Sequence, residues 1–346
     1  MKYLILGNGS DWFRSMFADT KADDNILVGQ DCFLPCWETK LSYYLCHALL
    51  PTGKKWSDSA IPCKMLYREL CRQIRRWGGG EKTTLILEQS NRLAHNRQFL
   101  RAVRKYVPNC TLIYWLIDTV AFVTRRVPDL VELCEEEYDF TVTYNPIDAE
   151  AYGFTYIETP YCRIIPKTEE TPSVDVLYIG AAKVQADPKR YEGIMRVFES
   201  LYGKGFSCDF SIIGVPQELR SHEEVINFEN WVSYPDSIGK VNRSRVILEV
   251  TQAGETGTTL RFFEAIAYNR KLITTNKCMA EHPLFARAHM HILDFEKPDW
   301  EESLQAFVAT AEPASYDTYE QLSPYLFLER IEKLMETGSI DHGKHE

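Results

Sequence analysis

Short apolar runs recur along this chain, and between them apolar residues return every three or four positions. That rhythm belongs to buried strands alternating with amphipathic helices. In the first half the runs "KYLILG" (2–7), "NILVGQ" (25–30), "TTLILE" (83–88), "CTLIYWLID" (110–118) and "FTVTY" (140–144) predict strands. Helical spacing predicts helices at 39–49, 62–77, 91–106 and 146–152. The segment "RIIPKTEETPSVD" (163–175) carries two prolines, acids and little periodicity, and reads as a linker.

After it the alternation restarts. "VDVLYIGA" (174–181), "DFSIIGV" (209–215), "RVILEVT" (245–251) and "KLITT" (271–275) predict strands, and "HMH" (289–291) begins another. "RYEGIMRVFESLYGKG" (190–205) predicts a helix stopped by glycine, and the last long helix is expected at 317–336. The expectation is an α/β protein of two Rossmann-like domains, 1–165 and 174–336, with a ligand cleft between them. The final helix is free in this scheme to pack back on the first domain. A length of 346 residues suits two cores better than one.

Charge changes the picture in one place. The net charge of −10 argues against nucleic acid as a partner, because such surfaces need to be basic. Yet Lys64 to Lys105 holds eleven Lys and Arg against Glu69, Glu81 and Glu88. That segment reads either as solvated helix faces or as a surface for anionic headgroups or a phosphate-bearing acceptor. Ten irregularly spaced cysteines, no long apolar run at the N-terminus and no run of membrane-spanning length predict reduced thiols and a cytoplasmic location. Cys32 and Cys36 have no second pair at zinc-finger spacing, and the histidines do not cluster, so no metal site is expected.

Two stretches could bind a phosphate. "LGNGSDW" (6–12) starts like a dinucleotide fingerprint with Gly7 and Gly9, but Trp12 takes the place of its third glycine. An indole there blocks close helix–strand packing, which leaves NAD chemistry the weaker alternative. "GETGTTLRFFEAIAYNRKLITTN" (254–276) runs from a Gly/Thr turn through a helix into a strand. Its Gly257, Thr258 and Thr259 precede the helix start, where free N–H groups and the positive dipole end favour phosphate, although a threonine there also serves simply as a cap. Arg261 and Glu264 share a helix face, either as a surface ion pair or as a phosphate cation and a carboxylate that accepts from a ribose diol.

The stretch "SRVILEVTQAGETGTTLRFFEAIAYNRKLITTN" (244–276) resembles the donor-side segment of bacterial GT-B glycosyltransferase-like proteins of lipopolysaccharide and capsular polysaccharide biosynthesis. Gln252, Gly257, Thr259, Arg261, Glu264 and "KLITTN" fit that pattern, and "YDFTVTYNPIDAEAYGFTYIETPY" (138–161), "DVLYIGAAKVQADPKR" (175–190) and "LIYWLIDTV" (112–120) resemble further segments in the same order. The resemblance spans roughly 110–295. It implies an acceptor-side domain followed by a nucleotide-sugar domain, with Glu264 on the ribose and Lys183 or Arg190 on the diphosphate. Retaining relatives place a first glutamate eight positions before the second; here that position is Thr256, so the sugar contact and the stereochemistry stay open. The implied activity is sugar transfer from a UDP-, GDP-, ADP- or CMP-linked donor to a glycan or lipid-linked glycan acceptor. No cofactor or metal is implied, in keeping with the lack of D-x-D strings. A catalytic base is expected among Asp11, Glu88, His95 and Asp118. A non-catalytic binding protein of the same fold is the alternative that Thr256 keeps open. Peripheral contact with the inner face of the membrane, through 64–105, completes the expectation.

Overall fold

The structure, a computed structural model, describes residues 1–29, 61–168, 171–182, 184–185, 187–252, 254–310 and 312–338. It divides into two compact units, Met1–Ile157 and Glu158–Glu346. The boundary precedes the segment read as a linker. Within the second unit that segment is anchored: Arg163 N–H donates to the Tyr319 hydroxyl at 3.0 Å and Ile164 N–H to the Tyr268 hydroxyl at 3.1 Å.

The first unit is built on a parallel sheet of β1 (Lys2–Leu6), β2 (Ile26–Gly29), β3 (Thr83–Glu88), β4 (Cys110–Leu116), β5 (Phe140–Thr143) and β6 (Thr155–Tyr156), in the order β2-β1-β3-β4-β5-β6. Its helices are α1 (Asp11–Ser15), α2 (Ile61–Gly78), α3 (Arg97–Tyr106), α4 (Val120–Val123), α5 (Leu130–Glu137) and α6 (Pro146–Tyr152). One sheet face, with Leu4, Leu85, Leu112 and Tyr114, packs on Leu70 and Ile74 of α2 and Phe99 and Val103 of α3. The chain turns sharply after β1, and the Phe13 ring of α1 lies so close that a Cβ at Gly7 would come within 2.4 Å of it. Glycine is therefore needed here for packing, whether or not the turn meets a ligand.

The second unit repeats the plan with β7 (Val174–Ala181), β8 (Cys208–Ile213), β9 (Ile226–Asn227), β10 (Ser244–Glu249), β11 (Lys271–Thr274) and β12 (Met290–Ile292). All pairs are parallel and the order is β12-β11-β10-β7-β8-β9. Counted from β7 this is the 3-2-1-4-5-6 order of a dinucleotide-type fold, whose switch point lies between β7 and β10. The helices are α7 (Pro188–Tyr202), α8 (Tyr234–Arg243), α9 (Leu260–Tyr268), α10 (Trp300–Ala309) and α11 (Pro324–Thr337). Val176, Tyr178 and Leu248 face α7 and α10, whereas Leu177, Ile247 and Leu272 face α8 and α9. With both faces covered, the strands read as continuous apolar runs.

Two predicted helices differ for identifiable reasons. The span 91–106 breaks at Asn96, whose side chain accepts from Phe99 N–H at 2.8 Å and caps α3, leaving a separate 3-10 turn at Arg92–His95. The last helix begins at Pro324 because Ser323 caps it and proline suits the first helical position. The helix expected at 39–49, with Cys32 and Cys36, lies outside the described residues.

Candidate functional site

The switch point of the second sheet gathers most of the residues that the sequence singled out. β10 ends at Glu249, and the chain then turns through Gly254, whose φ of +82° is open to glycine. The loop is pinned from two sides. Asn276 donates to the Gly257 carbonyl at 3.0 Å, and the Thr258 hydroxyl donates to Glu158 Oε2 at 2.6 Å. Thr259 is the N-cap of α9: its oxygen accepts from Arg261 N–H at 3.2 Å while its hydroxyl donates to Glu249. Of the two threonines weighed for phosphate, one caps the helix and the other is turned to Glu158, so backbone N–H groups are what this loop offers an anion. Thr256 is half-buried beside them.

Arg261 and Glu264 meet as expected, but not at the surface. Glu264 is wholly buried and its Oε2 accepts from the Arg261 guanidinium. Arg261 also donates to the Ile179 carbonyl at 3.2 Å and, more weakly, to Ser237 at 3.4 Å. Burial raises the Glu264 carboxyl above its usual range, against the pull of Arg261. Its Oε1 is buried without a well-formed hydrogen bond, and the Tyr234 hydroxyl lies near enough to the carboxyl to lower its proton affinity. Tyr234, the first residue of α8, lies alongside and donates to Tyr161 at 3.1 Å. The pair is therefore a buried element of the site, and the surface ion-pair reading does not hold.

Arg190 stands in the first turn of α7, across the switch point. Its Nε donates to the Val250 carbonyl at 2.8 Å, and among the described residues it forms no ion pair. It is thus the cation with charge to spare at the end of β10. Lys183 lies outside the described residues.

Two acids here were not picked out from the sequence. Glu249 is buried, its carboxyl raised by burial, and it accepts from Thr259 and Thr274. An acid closing an apolar strand was the available signal. Glu158 accepts from Thr258 and from His282 Nε2 at 2.7 Å, while His282 Nδ1 accepts from Leu284 N–H at 3.1 Å. That second bond fixes the tautomer with its proton on Nε2. Glu158 and His282 lie far from Thr258 in sequence, and nothing in their local pattern marks them.

In the first unit the candidates separate. Glu88, wholly buried at the end of β3, accepts from Ser90 N–H at 2.8 Å and from the Ser90 hydroxyl. Burial, with Asp118 nearby, raises its carboxyl to about 7. Asp118, half-buried after β4, accepts from Gln89 Nε2 at 2.9 Å, and the Gln89 carbonyl accepts from Asp118 N–H at 3.0 Å. Asn91 ties the same edge to the Gly7 carbonyl at 2.8 Å. Glu88 and Asp118 thus lie at the carboxyl ends of adjacent strands, near enough for their charges to interact. His95 does not join it: its Nε2 bonds the Tyr114 hydroxyl at 2.9 Å in the core, and burial lowers its basicity. Asp11 is exposed in the first turn of α1. Among the described residues, no three His, Cys, Asp or Glu side chains are placed to hold a metal ion.

No protein-family model and no curated protein matches the chain. Solved structures do. An alpha-glucosyltransferase in complex with UDP and a 13-mer DNA containing a central A:G mismatch aligns over 97% of this chain and 99% of its own, at 9% identity and a TM-score of 0.54. An alpha-glucosyltransferase with UDP-glucose and DNA containing an abasic site aligns over 96% and 98%, at 10% identity and 0.53. The fold is GT-B. At such identities the fold is what is shared. The Glycosylation Associate Protein (Gap123) complex from Streptococcus agalactiae aligns over 78% of this chain at 12% identity and a TM-score of 0.42, and the chain covers 56% of it, little more than half. Within the GT-B fold, the Arg190–Arg261–Glu264 group sits on the second Rossmann-like unit and the Glu88–Asp118 group on the first. Among the described residues no helix is long and apolar enough to cross a membrane.

Proposed function

We propose that this chain is a glycosyltransferase that moves a sugar from a nucleoside diphosphate donor to a cell-surface glycan precursor. The observation that carries the donor half is Glu264: a buried carboxyl whose Oε1 has no well-formed hydrogen bond, beside Arg261, at the switch point of a dinucleotide-type sheet. A ribose hydroxyl is the kind of donor that satisfies such an oxygen. The N–H groups of Gly257 to Thr259 at the start of α9, with Arg190, suit the diphosphate. Charge from these groups would stabilise the leaving diphosphate, so no metal is required in this reading. UDP in the two similar glucosyltransferase complexes puts uridine nucleotides first among donors. Those complexes also hold DNA, whereas the charge of −10 here favours a glycan acceptor, lipid-linked or free.

In the first unit, the half-buried Asp118 is the acid suited to meet an acceptor hydroxyl, and the buried Glu88 near it is the group whose proton affinity suits general acid–base work near neutrality. A non-catalytic nucleotide-binding protein of the same fold is the second reading, and Thr256 favours it by leaving the donor sugar without a carboxylate.

Calorimetric titration with UDP-, GDP-, ADP- and CMP-linked sugars tests the donor assignment. One class should bind, and Glu264→Gln and Arg190→Ala should each weaken it by roughly 10- to 100-fold, the worth of a hydrogen bond to a charged group. Arg190 is half-buried and Glu264 wholly buried, so the Arg190 variant should fold even where the Glu264 one does not. Binding by no nucleotide, or unchanged binding by Arg190→Ala and by a folded Glu264→Gln, defeats the donor reading. Binding without hydrolysis or transfer selects the second reading.

A further inference from the structure

The outer faces of α2 and α3 carry more positive charge than the neighbouring acids answer. On α2, Lys64, Arg68, Arg72 and Arg75 follow one another at three- or four-residue steps, Arg76 adjoins Arg75, and all are exposed. The opposite side of the helix buries Leu66, Leu70, Cys71 and Ile74 in the core. α3 adds Arg97, Arg101, Arg104 and Lys105 and has no acid of its own.

Some of these cations are paired. Arg72 meets Glu69 at 2.7 Å, Arg101 meets Glu137 at 2.6 Å and Arg104 meets Asp139 at 2.8 Å, while Arg97 bonds Glu136 and, at 3.2 Å, Asp129. Lys64, Arg68, Arg75, Arg76 and Lys105 form no ion pair among the described residues. Arg68 and Lys105 both lie over the Tyr106 ring, at 5.5 and 5.3 Å from its centre, which sets two like charges on one aromatic. Between the helices runs a groove of about 370 Å³ lined by Lys64, Tyr67, Arg68, Arg101, Lys105 and Tyr106.

We infer that this α2/α3 face is an electrostatic docking surface for an anionic lipid membrane. The stripe on α2 extends about 18 Å at the helical rise, so it offers an extended row of charges and not a single anion pocket. The apolar side of α2 is already in the core, so attraction comes from charge, with Tyr106 suited to the headgroup level. A chain of net charge −10 is repelled by an anion that surrounds it. A flat membrane meets one face only, and screening within about 8 Å hides the acidic remainder. The inference is independent of the proposed donor chemistry.

Sedimentation of the full chain with vesicles tests it. Binding is expected to vesicles of phosphatidylcholine mixed with phosphatidylglycerol, not to phosphatidylcholine alone, and should be lost at high salt. The triple variant Lys64→Gln, Arg68→Gln, Lys105→Gln should lower partitioning on the order of a hundredfold, at about fivefold for each cation. A control lacking Lys204, Arg287 and Lys297, exposed cations of the second unit, should partition like the parent. Equal binding to both vesicle types, or a triple variant that partitions like the control, overturns the inference. So does duplex DNA that displaces the vesicles at matched salt and binds through the same three residues, which would make the face a nucleic-acid surface.

Discussion

Replacing Glu88 with Gln should make stability less dependent on pH, by an amount the structure sets. Glu88 is wholly buried, and burial lifts its carboxyl from the ordinary 4.5 to about 7. The folded chain therefore holds this proton to higher pH than the unfolded chain does. Its stabilising contribution is complete below the unfolded value, declines as pH rises through the interval, and is gone above about 7. At about 1.4 kcal/mol per pH unit, the loss across that interval is roughly 3 kcal/mol. Glutamine has no proton to lose. It keeps the Ser90 bonds as well: one terminal atom accepts from Ser90 N–H, and the other donates to the Ser90 hydroxyl, which can turn to accept. The variant should thus gain on the parent by roughly 3 kcal/mol between pH 5 and pH 8, with most of the gain complete near neutrality. Urea unfolding of both proteins at intervals over this range measures it, and the difference between them cancels every other titrating group. A difference that stays flat, or narrows as pH rises, would refute the reasoning from burial.

Gly7→Ala should cost the first unit about 1–3 kcal/mol, because the new methyl group meets the Phe13 ring and the core must shift. A melting temperature equal to the parent's would show that the turn relaxes freely. Thr258→Val removes the hydroxyl that donates to Glu158 and should destabilise the second unit by about 1–2 kcal/mol in chemical denaturation. No measurable loss would mean that the bond does not hold the loop.

How much of this was legible depends on how local each determinant is. β3 is buried along its whole length, so "TTLILE" could only be a strand between covered faces. The Gly/Thr loop and α9 were legible because turn chemistry, a capping residue and helical spacing all fall within fifteen residues. β6 and β9 span two residues each and leave no period to detect. α5 buries Leu130 and Leu133, but three acids close it and disguise its amphipathic face. In the site, the Arg261–Glu264 spacing was readable while its burial was not, since that depends on α8 bringing Tyr234 and Ser237 over it. The link from Glu158 to Thr258 joins residues a hundred positions apart, and only the folded chain shows it.

The buried pair also constrains how a donor could be held. An ion pair this deep is poor economy for stability alone, since apolar residues of similar volume often serve as well or better. Glu264 has two oxygens, and Arg261 occupies one of them. In the proposed donor complex, the first ribose hydroxyl meets Oε1 without disturbing anything. A second hydroxyl can share Oε2 with the guanidinium, because each carboxylate oxygen accepts two donors. Without the carboxylate, the half-buried Arg261 would keep carbonyl and hydroxyl partners only; without Arg261, the carboxyl would lose the cation that opposes the effect of burial. The two residues act as one unit, so they should fail together in donor binding while Arg190 fails separately.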